Sequence, residues 1–119
     1  MSDYRNTAQR YIDTWNETDP AKRRLLVTEL FTVDTTYTDP LAQRAGTDDV
    51  DQMIAGVQEQ FAGLVFTLGE VDGHHDLARF TWYLGAPGAD EPLVEGFDVL
   101  VLADNKIKHV HGFLNKVPA

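Results

Sequence analysis

Apolar residues recur at helical spacing in the first half of the chain and at strand spacing in the second. Tyr4, Ala8, Tyr11, Ile12 and Trp15 fall at i, i+4, i+7, i+8 and i+11, one stripe of an amphipathic helix. The pattern stops before Asp19-Pro20, where Asp19 can cap a second helix and Pro20 suits its first position. That helix carries Leu25, Leu26 and Leu30 and runs to about Phe31, with Lys22-Arg23-Arg24 as a solvated basic face. Thr35–Thr38 reads as a short strand closed by Asp39-Pro40, because proline has no amide to continue a ladder. A third helix is predicted from Thr47, with Asp48, Asp49 and Asp51 where the helix dipole favours negative charge. Its stripe is Val50, Met53, Ile54, Val57 and Phe61, and Gly63 is its stop. Beyond Gly63 the period becomes two, which predicts strands at Val65–Val71, Asp76–Leu84, Leu93–Leu102 and Ile107–Leu114. The turns between them fall at Asp72-Gly73, Ala86-Pro87-Gly88 and Asp104-Asn105.

Helices first and hairpin-connected strands afterwards predict an α+β domain, three helices packed on a mostly antiparallel sheet. No repeat, linker or low-complexity stretch divides the 119 residues, so residues 1–119 read as a single domain. One strand carries a further message. In Leu93–Leu102 one face shows Val94, Gly96, Asp98, Leu100 and Leu102, and the other Leu93, Glu95, Phe97, Val99 and Val101. Both faces are largely apolar, whereas a sheet covered on one side alternates cleanly. The helices can cover one face, and a second copy packed sheet to sheet is expected on the other, making a homodimer.

Charge narrows the partners. Ten Lys and Arg against nineteen Asp and Glu give a net charge of −9, with no basic surface for nucleic acid or anionic membrane. The longest apolar runs are too short to span a bilayer, and the N-terminus lacks the layout of a signal peptide. The absence of cysteine excludes disulfides and thiol chemistry, and a cytoplasmic address fits.

Tyr11, Asp39 and Asp98 are the side chains that stand out for chemistry. Alone, Tyr11 reads as a core tyrosine and Asp39 as a turn former before proline. Asp98 is harder to dismiss, because it interrupts the most apolar strand, and a buried carboxylate must be paired or protonated. Arg79, the only base in its strand, is the candidate charge partner. His109 and His111 alternate and share a face. A two-residue turn at Asp104-Asn105 would set His111 opposite Asp98, and one residue more would set Gly112 there and turn both histidines outward. No metal site is expected from them, nor from His74-His75, which read as a polar turn. No phosphate loop or nucleophile elbow is present, Ser2 being the only serine.

Gln9-Arg10-Tyr11, Trp15-Asn16, Tyr37-Thr38-Asp39-Pro40-Leu41, Gly46 and Gly96-Phe97-Asp98, before a last strand Lys106–Leu114, resemble the NTF2-like superfamily over nearly the whole chain. They look most like its SnoaL-like branch, which holds polyketide cyclases and has ketosteroid isomerases as relatives. The resemblance implies a cone in which a curved sheet wraps the first helix around an apolar pocket, with dimers through the sheet. Trp15, Met53, Val57, Phe61, Phe80, Trp82, Leu100, Val110, Gly112 and Leu114 are its expected lining, and the outward register of the histidines is the one it favours. Matched to the isomerase pattern, Asp39 is the general base, Tyr11 an oxyanion donor, and Asp98 a protonated acid beside that tyrosine. The implied ligand is a small apolar carbonyl compound, with no cofactor. The implied activity is isomerisation or cyclisation by proton transfer, and the alternative is a non-catalytic ligand-binding or dimerisation module. Glu95 and Arg79 are departures, charges a steroid pocket would not want unless they point outward.

Overall fold

The structure, a computed structural model, describes residues 3–118. Helix α1, Tyr4–Asn16, is capped by the Asp3 carboxylate, which accepts from the Asn6 amide at 3.0 Å, and it buries Ala8, Tyr11, Ile12, Thr14 and Trp15. Helix α2, Pro20–Leu30, has the expected Asp19 cap, whose carboxylate accepts from the Ala21 amide at 3.0 Å. Helix α3, Thr47–Gln60, follows Gly46, which holds the left-handed backbone at φ +89° that L side chains rarely adopt.

The strands are β1 Phe31–Thr38, β2 Gln43–Ala45, β3 Val65–His74, β4 Leu77–Gly85, β5 Val94–Ala103 and β6 Lys106–Lys116. They form one curved sheet in the order β2-β1-β6-β5-β4-β3, antiparallel except for the parallel β1–β6 pair. The helices lie on its inner face, where Tyr11, Ile12, Leu30, Phe31, Ile54, Phe80, Leu100, Ile107 and Val110 make the core. The α+β cone implied by the resemblance is the observed architecture. No helix among the described residues is long and apolar enough to cross a membrane.

Four sequence expectations change. The first strand begins at Phe31 rather than Thr35, because α2 hands directly to β1 and Phe31 pairs with Ile107 of β6. Edge strand β2 has no counterpart in the sequence pattern: three residues without alternation gain their ladder only by pairing with β1. Asp72-Gly73 is not a turn. Gly73 pairs with Ala78 inside the β3–β4 hairpin, which turns instead at His75-Asp76. A Cβ on Gly73 would come within 2.6 Å of several atoms of the Tyr4 ring, so this glycine serves close packing.

The basic cluster on α2 is the fourth. Arg23 is buried rather than solvated, with its Nε donating to Asp51 Oδ1 at 2.8 Å and a guanidinium NH donating to Gln58 Oε1 at 2.9 Å. Gln58 Nε2 in turn donates to the carbonyls of Trp15 (2.9 Å) and Glu17 (2.7 Å), so one network ties α2 and α3 to the end of α1. Of the apolar residues of α2, Leu25 is 63% exposed, and Val27 and Leu30 are buried.

The last hairpin settles the register. Asp104 and Asn105 both have positive φ (+51° and +65°), a two-residue turn that pairs Ala103 with Lys106 and Leu102 with Ile107. Val101 then pairs with His109, leaving Lys108 as an extra residue, a β-bulge. The bulge is pinned by Thr35, a fully buried residue whose hydroxyl donates to the Lys108 carbonyl at 3.0 Å. A tight turn and an outward register, posed as alternatives by the sequence, coexist: Gly112 faces Asp98, and His109 and His111 lie on the outer face.

Candidate functional site

The inner face of β3–β6, together with α1, α3 and the loop after β1, lines an apolar cavity of about 130 Å³ that is open on one side. Tyr11, Ile12 and Trp15 come from α1, and Val57 and Phe61 from α3 and its end. Phe66, Trp82, Leu84, Val94, Asp98 and Leu114 come from the sheet, with Tyr37, Asp39, Leu41, Val117 and Pro118 completing the wall. The proposed site residues Tyr11, Asp39 and Asp98 thus reach one cavity.

Asp98 sits at the middle of β5, opposite Phe80 on β4 and Gly112 on β6, and is 3% exposed. Tyr11 donates its hydroxyl to Oδ2 at 2.8 Å, and the Trp82 indole N–H donates to Oδ1 at 3.1 Å. Two glycines make this possible. A Cβ on Gly96 would collide with the Trp82 indole at 2.5 Å and with the carbonyl of Phe113, so its absence lets the indole lie across β5 toward Asp98. A Cβ on Gly112 would fall 2.9 Å from Asp98 Oδ1 and 3.2 Å from Asp39 Cβ, so the two acidic side chains share the space over one glycine.

Asp39 combines both roles that its sequence allowed. Its Oδ1 accepts from the amides of Leu41 and Ala42, each at 2.8 Å, an Asx turn that reverses the chain after β1. Its Oδ2 accepts the Tyr37 hydroxyl at 2.5 Å and helps wall the cavity. Tyr37 is a site residue that the sequence reading misses. Its i, i+2 spacing from Asp39 on an alternating strand was the available signal.

Burial dominates the electrostatics. Loss of water raises the Asp98 carboxyl to about 6; the hydrogen bonds from Tyr11 and Trp82 oppose this, and the Asp39 charge adds to it. Burial also pushes the Tyr11 and Tyr37 hydroxyls well above the usual tyrosine range, reinforced by the negative charge of Asp98. Both phenols therefore stay protonated and serve only as neutral donors. The Trp15 indole N–H is buried beside Tyr11, whose hydroxyl it favours in the ionised form, and makes no well-formed hydrogen bond among the described residues.

Several expected contributors lie elsewhere. Arg79 is not the partner of Asp98: it is exposed on the outer face, in register with Asp72 and Val99, because alternation along β4 sends Phe80 and Trp82 inward. Glu95 points outward for the same reason, in register with Tyr83. Met53, Phe80, Leu100 and Val110 do not line the cavity but fill the core beneath it, Phe80 packing edge-on against Tyr11 at 5.4 Å between ring centres. Gly112 offers no wall of its own, since Asp39 and Asp98 occupy the space above it. Trp15, Val57, Phe61, Trp82 and Leu114 do line the cavity.

The model of the SnoaL-like domain matches residues 8–110. A SnoaL-like family protein of Agrobacterium tumefaciens, proposed to be an isomerase, is 38% identical; the match covers 97% of this chain and 99% of that one, with a TM-score of 0.90. The fold is shared with a proposed ketosteroid isomerase of Kribbella flavida (19% identity, 98% of this chain and 80% of that one, TM-score 0.72). It is also shared with a proposed polyketide cyclase of Sinorhizobium meliloti (16% identity, 90% and 93%, TM-score 0.71). No functionally curated protein matches the chain. Domain match, near full-length similarity and architecture agree: the chain belongs to the SnoaL-like family.

Proposed function

We propose that the cavity holds a small apolar carbonyl compound and that the chain moves a proton beside that carbonyl, as a cofactor-independent isomerase or cyclase. The observation that carries this reading is the 2.8 Å Tyr11–Asp98 hydrogen bond in an apolar wall, with a second carboxylate, Asp39, across Gly112. The Trp15 N–H, which has no well-formed hydrogen bond among the described residues, adds a donor that an oxygen-bearing ligand would satisfy. The Agrobacterium relative, itself proposed to be an isomerase, points the same way.

In this reading Asp39 takes the proton from the carbon next to the carbonyl, and the C–H electrons form an enolate. Tyr11 swings its O–H from Asp98 to the enolate oxygen, and Asp98, when protonated, donates as well. Protonated Asp39 then returns the proton to a different carbon, which isomerises the substrate, or the enolate carbon attacks a second carbonyl, whose oxygen takes the proton back from Asp39 as the ring closes. With the Asp98 carboxyl at about 6, its donor form is a minority at neutral pH, so the rate rises as pH falls toward 6.

Exchange of ketone α-protons in D2O, followed by NMR over a panel of small cyclic ketones, tests the reading without a known substrate. Asp39→Asn is expected to slow exchange by about a hundred- to ten-thousand-fold. Unchanged exchange in this variant, or none in the parent protein, rejects the proton-transfer role and leaves a binding module.

The same proposal includes a homodimer through the outer sheet face and a cytoplasmic setting, which suits a chain without cysteine. Phe97 and Phe113 stack there at 4.9 Å between ring centres, with Phe113 half exposed, and Val99 and Val101 lie beside Phe97 on the same face. Sedimentation at micromolar concentration is expected to give twice the chain mass, and Phe113→Glu to give the single mass. A parent protein that sediments as one chain would remove the dimer.

A further inference from the structure

Six aromatic side chains, Tyr11, Trp15, Tyr37, Phe61, Phe66 and Trp82, wall the cavity of about 130 Å³ together with Asp39 and Asp98. Among the described residues that line it there is no lysine, arginine or histidine. The groups facing Asp98 from the elements packed on it are Tyr11 from α1, Tyr37 and Asp39 from β1 and its loop, Trp82 from β4 and Gly112 from β6. Helix α3 contributes only Val57 and, at its end, Phe61. Each carboxylate is therefore met by neutral donors alone, while the nearby bases are engaged elsewhere: Arg23 with Asp51, Arg44 with Asp49, and Arg79 on the outer face.

We propose that this cavity binds a small organic cation, an alkylammonium about the size of a choline head group, held between the aromatic rings and the Asp39 and Asp98 carboxylates. Ring faces carry negative potential, and an ammonium gains most from them where water is displaced. A quaternary ammonium also makes no demand for hydrogen-bond acceptors, which suits walls this apolar. The volume sets the scale of the inserted head group, since a cavity of about 150 Å³ accommodates one benzene-sized ligand, while the open side leaves room for a tail. Asp39 and Asp98 lie side by side over Gly112 in this wall, so an ammonium seated between the rings meets an acidic group that compensates its charge. This inference goes beyond carbonyl chemistry and does not depend on turnover. The two have opposite pH dependence, because the oxyanion role needs Asp98 protonated and cation binding needs it charged.

Titration of the full chain with choline and with 3,3-dimethylbutan-1-ol, its uncharged carbon analogue, tests the proposal by calorimetry and tryptophan fluorescence at fixed ionic strength. At pH 7.5 choline is expected to bind about tenfold more tightly than the alcohol. At pH 5 the preference is expected to shrink several-fold, and Asp98→Asn is expected to shrink it likewise at pH 7.5. A preference below about threefold, binding of neither compound, or a preference indifferent to pH overturns the proposal. The pH arm uses the parent protein, so its outcome does not depend on the variant folding.

Discussion

Asp98→Asn is expected to raise the unfolding free energy at pH 7.5 by about 2 kcal/mol, although it removes a group placed at the centre of the site. The Asp98 carboxyl is lifted from an ordinary 3.8 to about 6, chiefly because burial strips its water. Holding it ionised costs the folded state about 3 kcal/mol, a figure that already includes the Tyr11 and Trp82 hydrogen bonds, and imperfect replacement of those contacts by Asn takes back part of the gain. The sign follows from proton counts. Between pH 3.8 and about 6 the folded chain holds a proton here that the unfolded chain has released, so this group's contribution to stability is largest in acid and is lost as pH rises through about 6. Asn can replace both contacts: its oxygen accepts the Trp82 N–H, and its amide donates to a Tyr11 hydroxyl that turns around. Denaturant titrations of parent and variant at several pH values isolate the contribution of Asp98 and its coupling to Asp39, since carboxylates remote from the pair cancel in the difference. The gap is expected to be wide at pH 7.5 and nearly closed at pH 4. A variant less stable at both would mean that the two hydrogen bonds outweigh burial. The gain from Asn would be the usual mark of a site that trades stability for function.

Arg23→Ala is expected to lose about 3–5 kcal/mol, a large share of the roughly 5–15 kcal/mol typical of a domain. Truncation leaves buried Asp51 with only the exposed Arg24 guanidinium at 3.9 Å in place of its 2.8 Å partner, and releases the Gln58 bridge to the end of α1. Replacing both charges, as Arg23→Met with Asp51→Leu, should restore most of the loss, because the cost lies in an orphaned charge rather than in the absent pair. Urea midpoints at constant slope measure both effects. A loss under about 1 kcal/mol in Arg23→Ala would return Arg23 to the solvated surface that its sequence context suggests.

The contrast between Arg23 and Asp19 shows what a sequence transmits. Asp19 acts on amides two and three residues away, so its cap is legible from spacing alone. Arg23 acts on Asp51, in another helix, and its neighbours Lys22 and Arg24 disguise it. The helices and the main strands were legible because each carries its own period. β2 was not, because three residues on a sheet edge carry no period. At the site, the convergence of Tyr11, Asp39 and Asp98 was expected through family resemblance. The Trp82 contact was not, because it depends on a missing side chain at Gly96 in the neighbouring strand. The orientation of Arg79 was open until β4 acquired its register with β5.

The extra residue at Lys108 governs how relatives of this chain should be compared. If one family member lacks that residue, every side chain beyond it exchanges sides: imidazole replaces glycine beside the acid, and the greasy positions migrate to the surface. Two sequences that match letter for letter past this point can thus have interiors of opposite character. An insertion or gap there outweighs many substitutions elsewhere when activities are transferred between relatives.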